Sequence, residues 1–423
     1  MSPRIRRIAL IEPLGDTGIG TYTYELAEAL VGFGIEVDVY TPARATASSW
    51  QRRHGFYPVL GSALVRQRSQ LALAVRGTPH MATPPGAFDV ESDGQPPAKR
   101  VPRILKWRVI RDTYMSLELV GWLRLSGYDL VWTQWPEMAR PVVSFWRAAR
   151  LTGLRVVHTA HNVFPHERRA GDYLEFRKVY DNARLIITHS DMAARTLGEA
   201  FPAAASKIVT SRLGLYTRYL RRPQAREAIR KELAVPAESS IVLAYGSVRP
   251  YKNLDILIDA MAVDAGKSFT LVVAGNEFGY PNLDPNDPLA LTRKRVAAMG
   301  LGDHVRLLPG PADNDRTSDL FEAADVVALP YAESYGSGVL LLAMSFGRSL
   351  VATRTGGMEE YLAVYRDGVL VEPDVSADDL LAALHLARER AKTQSGEAPR
   401  PRDLEWARII QKLLPYLERA ADR

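Results

Sequence analysis

The stretch DVVALPYAESYGSGVLLLAMSFGRSLVATRTGGMEEYLAVYRDGVLVEPD, residues 325–374, decides the fold. Its first residues, Asp325 to Leu329, predict a buried strand that runs into Pro330. A turn built on Gly336, Ser337 and Gly338 then opens an apolar helix. A second buried strand, Ser349 to Ala352, ends at another turn, Gly356-Gly357. Strand, glycine turn, helix, strand is the grammar of a parallel sheet with covering helices. Helix N-termini that follow glycine turns present unpaired N–H groups and the positive end of the helix dipole, which suits phosphate. Two such turns close together predict a site for a phosphorylated ligand.

The alternation continues on both sides of this block. Arg6 to Ile11 predicts a strand, Thr21 to Phe33 a helix and Glu36 to Tyr40 a second strand. Further strands are predicted over Tyr128–Thr133, Leu154–His158 and Leu185–Thr188, followed by a helix over Asp191–Ala200. Residues 80–103, rich in Pro, Gly and charge, predict a long loop, and Ile104 to Leu125 a helix. The second half restarts with a strand over Ser240–Tyr245, a helix from Leu254 and strands over Phe269–Ala274 and Val305–Leu308. A last helix, Asp403 to Ala420, follows a Pro-containing loop.

At 423 residues the chain exceeds one ordinary core, so two domains are expected. The domain limits expected are 1–205, 206–395 and, for the closing helix, 396–423. With no cysteine, disulfides and thiolate metal sites are excluded. Residues 1–12 read as a first strand rather than a signal peptide, and no apolar run approaches the ~18 residues of a membrane span. The expected location is therefore cytoplasmic. A net charge of +6 favours anionic partners, but no zinc-ligand set, base-stacking signature or recognition helix supports nucleic acid among them.

Four segments carry chemistry. Gly15-Asp16-Thr17-Gly18-Ile19-Gly20 lies between a strand and a helix, so Gly18 and Gly20 could meet a pyrophosphate and Asp16 an acceptor. A plain turn and a dinucleotide fold, with Asp38 about twenty residues on, are the competing readings. Tyr245 to Leu254 sets Gly246, Ser247, Arg249 and Lys252 at a strand end, where two cations suit a leaving diphosphate. His158, His161 and His166 cluster at another strand end, with His158 read as a core residue. Glu333, just ahead of Tyr335 and the Gly336 turn, offers a carboxylate to sugar hydroxyls. Asp313 reads as a helix cap. Residues 99–111 interleave Lys and Arg with apolar residues and could rest on an anionic membrane.

The 325–374 block resembles the donor-binding block of glycosyltransferase family 4, retaining enzymes of the GT-B fold. Pro330-Tyr331, Glu333-Ser334-Tyr335-Gly336, Ala343-Met344 and Gly356-Gly357-Met358-Glu359-Glu360 carry the resemblance. Lys252 matches the lysine of the family's Gly-Arg-x-x-x-x-Lys-Gly segment, while Ser247 takes the place of its arginine and Arg249 lies two residues on. His161 matches a histidine that contacts the donor sugar. The family's second glutamate, which holds the ribose, falls here at Leu341 or Leu342.

The resemblance implies an α/β GT-B protein, two Rossmann-like domains with parallel sheets facing across a cleft, whose last helix crosses back to the first domain. It implies a transferase that moves a sugar from a nucleotide-sugar to a glycan, lipid-linked or small-molecule acceptor, with retention and no metal. His161, Arg249, Lys252 and Glu333 would be the catalytic set. Gly18, Gly20, Gly246, Ser247, Tyr335, Gly336, Ser337, Gly338 and Val339 would bind donor, with Asp16 and His166 on the acceptor side. A nucleotide-sugar epimerase and a non-catalytic sugar- or partner-binding protein of the same fold are the alternatives.

Overall fold

The computed structural model describes residues 4–12, 18–40, 55–57, 117, 119–134, 142–164, 172–265, 268–275, 288–310, 313–334, 336–393 and 400–422. By internal packing the chain divides into two compact units. One comprises Met1–Thr159, Arg169–Leu185 and Glu418–Arg423, the other Ala160–Arg168 and Ile186–Leu417.

Thirteen strands are described: β1 (Arg7–Ile11), β2 (Glu36–Tyr40), β3 (Gly55–Tyr57), β4 (Leu130–Thr133), β5 (Val156–Ala160), β6 (Leu185–Thr188), β7 (Ile208–Thr210), β8 (Ser240–Tyr245), β9 (Phe269–Gly275), β10 (Val305–Pro309), β11 (Val326–Leu329), β12 (Ser349–Thr353) and β13 (Gly368–Val371). They form a seven-stranded sheet in the order β3-β2-β1-β4-β5-β6-β7 and a six-stranded sheet in the order β10-β9-β8-β11-β12-β13. The neighbouring pairs run parallel, as in β1 with β4 and β8 with β11. The central strands β9 and β11 are buried along their whole length, which is why they read as continuous apolar runs (FTLVVAG and VVAL).

The strand order reverses direction between β1 and β4 in one sheet and between β8 and β11 in the other. Ligands of such sheets bind beyond the carboxyl ends of the strands at these switch points. Helix Gly18–Gly32 follows β1 at the first of them. Gly18 and Gly20 lie inside the first turn of that helix, whereas the sequence placed its start at Thr21. Thr23 tightens this turn by donating its hydroxyl to the Ile19 carbonyl, 2.8 Å away.

In the first unit Asp38 is buried at the interior of β2 and accepts from Arg7 Nη2 (2.7 Å) and the Tyr128 hydroxyl (2.5 Å). That commits it to the core and removes the carboxylate a dinucleotide ribose would need. His158, also in this unit, is fully buried, with Nδ1 2.8 Å from the Thr133 hydroxyl.

In the second unit Leu257, Ile258 and Met261 of helix Leu254–Asp264 pack with Leu380, Leu384 and Ala387 of helix Ala377–Thr393 against Val242, Leu271 and Val273. Asp313 caps helix Asn314–Ala323 by accepting from the Arg316 N–H at 2.7 Å, as the sequence predicts. Among the described residues no helix is long and apolar enough to cross a membrane. The start of the last helix, Trp406–Asp422, grips residues 213–216: Trp406 Nε1 donates to the Leu215 carbonyl at 2.9 Å, and the Leu215 N–H to the Leu404 carbonyl at 3.0 Å.

The Trp406 ring lies so close to Gly214 that a Cβ there would stand 2.4 Å from it. Gly214→Ala is therefore expected to lower stability by about 1–3 kcal/mol, the usual cost of overpacking. Denaturant titration checks this, and an unchanged midpoint would show that the tryptophan moves aside freely.

Candidate functional site

The loop that leaves β8 is shaped by two glycines. Gly246 has φ +91° and Gly275, at the end of neighbouring β9, has φ +152°, conformations that disfavour any side chain. A Cβ on Gly275 would come within 2.3 Å of the Gly246 carbonyl oxygen. The two strand ends thus meet backbone to backbone, and the chain turns back so that Lys252 folds over its own strand. Lys252 is 6% exposed, and its Nζ donates to the Tyr245 carbonyl at 2.8 Å. The same ammonium lies 5.7 Å from the centre of the Tyr331 ring. Burial, with Arg249 nearby, pushes its pKa down to about 7.

The loop after β11 meets this loop directly. The Ala332 N–H donates to the Tyr251 carbonyl at 2.7 Å, and the Tyr251 and Tyr331 rings pack edge to face at 5.6 Å. Tyr251 is itself raised above the usual phenol range by burial, with Arg249 opposing and Glu333 adding to the shift, so all three groups share one neighbourhood. Glu333 is exposed and Arg249 half-buried. Ser334 braces the turn by accepting from the Gly336 N–H at 3.2 Å.

Ser337 caps helix Gly338–Ser345, accepting from the Leu340 N–H at 3.2 Å. The N–H groups of Gly338 and Val339, at the first two helical positions, have no acceptor within an α-helix and carry its positive dipole end. A methyl group placed at Gly246 would lie 2.8 Å from Lys252 Nζ and 3.6 Å from Val339 Cγ2. The lysine, the glycine and the helix start therefore bound one small space. The same helix (GVLLLAMS) bears no carboxylate, and Leu341 and Leu342 are both buried.

The Gly336 turn adjoins a pair of histidines. A Cβ on Gly336 would lie 4.0 Å from His189 Cβ. His189 Nε2 is 3.1 Å from His161 Nδ1, and the two ring centres are 4.8 Å apart. His161 is the residue after β5 and His189 the residue after β6, adjacent strands of one sheet. That register is a signal the sequence held, because residues just past the ends of neighbouring parallel strands fall side by side. His189 was nonetheless absent from the predicted set. So was Tyr216, whose hydroxyl would stand 2.9 Å from a Cβ on Gly338.

Of the residues singled out from sequence, His161, Gly246, Arg249, Lys252, Glu333, Gly336, Ser337, Gly338 and Val339 are gathered in the second unit, with Ser247 on the same loop as Gly246. Gly18 and Gly20 belong to the first. Asp16, His166, Tyr335 and the segment 99–111 lie outside the described residues. Glu360 has a structural partner: its carboxylate accepts from the Asp191 and Met192 N–H groups at 2.8 and 2.9 Å, holding the start of helix Asp191–Ala200.

Two doubly wound parallel sheets, with a cation and a helix start gathered at a switch point, are the architecture of the GT-B class. Residues 17–217 match the family described as Glycosyltransferase Family 4, and residues 225–395 match Glycosyl transferases group 1. A D-inositol 3-phosphate glycosyltransferase of Saccharomonospora viridis is 30% identical over 295 residues, 65% of this chain and 67% of that one. Another of that name from Mycolicibacterium smegmatis is 26% identical across 98% of this chain and 91% of its own. Among solved structures, Anabaena HepE in complex with UDP and glucose superposes with TM-score 0.67 at 17% identity, covering 98% of this chain and all of that one (100%). The chain belongs to the family 4, group 1 glycosyltransferases, and it is a glycosyltransferase of the GT-B fold.

The buried lysine makes a prediction that needs no ligand. Its folded pKa of about 7 lies below the unfolded value of 10.5. Between these values the unfolded chain holds a proton that the folded chain has released, so stability rises with pH through that window. The penalty is complete below pH 7. Wild type should therefore gain stability relative to Lys252→Met between pH 7 and pH 10, by at most about 1.4 kcal/mol per pH unit. Parallel urea midpoints check this: a difference that grows across that range shows that the buried lysine has released its proton, and a flat difference shows that it stays charged.

Proposed function

We propose that the protein transfers a sugar from a nucleoside-diphosphate sugar to a hydroxyl acceptor with retention of configuration and without a metal ion. The observation that carries this reading is the convergence of Lys252, Gly246 and the start of helix Gly338–Ser345 beyond the ends of β8 and β11. An ammonium and two N–H groups at one point suit the diphosphate of a donor better than any neutral ligand. Arg249 supplies a second cation at its rim, Glu333 accepts from sugar hydroxyls, and His161 meets the sugar near its reacting carbon. Gly18 and Gly20 open the helix that offers its N–H groups in the first unit.

In the reaction the bond between the anomeric carbon and the diphosphate oxygen breaks. Negative charge grows on that oxygen, and Lys252, Arg249 and the helix start stabilise it. The departing diphosphate takes the proton of the acceptor hydroxyl, which attacks from the same face, so no separate protein base is needed. Retention follows from that shared face.

UDP is the first nucleotide to test, because the HepE structure holds UDP. The relatives' shared name, D-inositol 3-phosphate glycosyltransferase, supports a small polyhydroxylated or glycan acceptor, and transfer rather than epimerisation. The basic stretch 99–111 suits a peripheral contact with anionic lipid, where a lipid-linked acceptor would be met.

Thermal unfolding against UDP-, GDP-, ADP-, CMP- and dTDP-sugars tests the donor site. One nucleotide class should raise the melting temperature, and the rise should vanish in Lys252→Ala. A shift that survives in Lys252→Ala would place the diphosphate elsewhere. Donor consumption that proceeds equally well without an acceptor would favour the epimerase.

A further inference from the structure

We infer that His189 is a positioning residue for the transferase site: it accepts from His161 Nδ1–H, so that His161 in its neutral form is held as the Nδ1–H tautomer, with Nε2 as the atom that would accept from a hydroxyl of the donor sugar. The second half of this statement rests on the reading of His161 given above; the first half rests on the hydrogen-bond geometry and the burial of His189.

The hydrogen-bond chain has only one consistent polarity. His189 Nδ1 lies 3.0 Å from the Ser211 carbonyl oxygen, which can only accept, so Nδ1 carries a proton. The ring is 2% exposed, and burial keeps it neutral by pushing its pKa down to about 4, against a smaller opposing effect of the Ser211 bond. A neutral imidazole protonated at Nδ1 has a bare lone pair at Nε2. That atom stands 3.1 Å from His161 Nδ1. The contact is a hydrogen bond only if His161 donates, which requires Nδ1–H on His161 and leaves its Nε2 unprotonated in the neutral ring. An unconstrained imidazole prefers the opposite tautomer, so the neighbour decides the matter.

His189 is itself tightly held. Its backbone carbonyl accepts from the Tyr361 hydroxyl at 2.8 Å, and that hydroxyl accepts in turn from the Leu213 N–H at 2.8 Å. The next residue, Ser190, caps the helix whose first N–H groups Glu360 binds. Among the described residues, the titratable side chains that these bonds bring together around His189 include His161, Tyr361, Glu360 and Asp191. The Gly336 backbone abuts His189 Cβ, so the same residue also bounds the turn that leads to the helix start.

The consequence for the reaction is directional. In its neutral form His161, protonated at Nδ1, would accept at Nε2 from a sugar hydroxyl rather than donate to it. As positive charge develops on the sugar ring, an acceptor at that hydroxyl stabilises it, whereas a donor would oppose it.

The test uses the full-length protein with ¹⁵N-labelled histidine, ligand-free and with UDP. Long-range ¹H–¹⁵N correlation spectra distinguish the two tautomers, and His161→Gln assigns the resonance. His161 should show the Nδ1–H pattern in wild type and revert towards Nε2–H in His189→Phe, which keeps the ring and removes both nitrogens. His189→Gln, whose Oε1 can stand in for the lost acceptor, should restore the wild-type pattern. In turnover, kcat should fall about tenfold or more in His189→Phe, recover in His189→Gln, and leave the donor KM nearly unchanged. An Nε2–H pattern in wild type, or an unaltered pattern in His189→Phe, overturns the inference. If the phenylalanine variant fails to fold, the wild-type and glutamine spectra still decide it. Failure of the donor reading has a separate signature, namely no nucleotide-sugar response while the tautomer pattern remains as stated.

Discussion

A single buried lysine amine organises the strand ends of the second unit. Lys252 lies almost fully out of water against the Tyr245 carbonyl and the face of Tyr331. It can do so only because Gly246 has no side chain and a positive φ, and Gly246 can approach β9 so closely only because Gly275 is also a glycine. The strand ends, the two glycines and the lysine form one steric unit. The loop after β11 is registered on it through the Ala332–Tyr251 hydrogen bond and the Tyr251–Tyr331 contact, which sets where Ser337 begins its helix. Removing charge from water is costly, so the sheet must position every neighbour of this amine well.

The Gly-Gly-x-x-Glu segment supports the same surface from another side. Glu360 and Tyr361 reach the Leu213 N–H and the backbone around His189–Met192, with the Tyr361 hydroxyl both donating and accepting. A sequence signature that looks like ligand chemistry is, at these two positions, a clamp that holds other site-forming segments. The Trp406 ring over Gly214 secures the same 211–216 stretch that supplies the Ser211 carbonyl to His189.

The parts of this legible in the sequence were those governed by local rules. Continuous apolar runs marked β8, β9, β11 and β12 because strands buried on both faces need them. Glycine turns followed by apolar helices marked the helix starts at the strand ends, and Lys252 stood out as a cation beside a glycine at a strand end. What escaped depended on pairing between distant segments. His189 gave no local signal, since its role arises from lying beside His161 one strand away and beneath a carbonyl of residue 211. Glu360 follows the Gly356-Gly357 turn in the sequence, but the helix start it holds lies more than 160 residues earlier in the chain (|i−j| = 169 to Asp191). Helix Gly18–Gly32 began three residues before its predicted start, because its glycines are the first turn rather than a loop ahead of it.

The depressed pKa of Lys252 bears on how this amine would answer an incoming anion. Near neutral pH it is balanced between its two protonation states, whereas the neighbouring Arg249 guanidinium stays charged. A negative group placed beside the amine would raise its pKa and draw a proton onto it. Anion binding there would then take up a proton from solution, a linkage that a permanently charged side chain in the same place could not give.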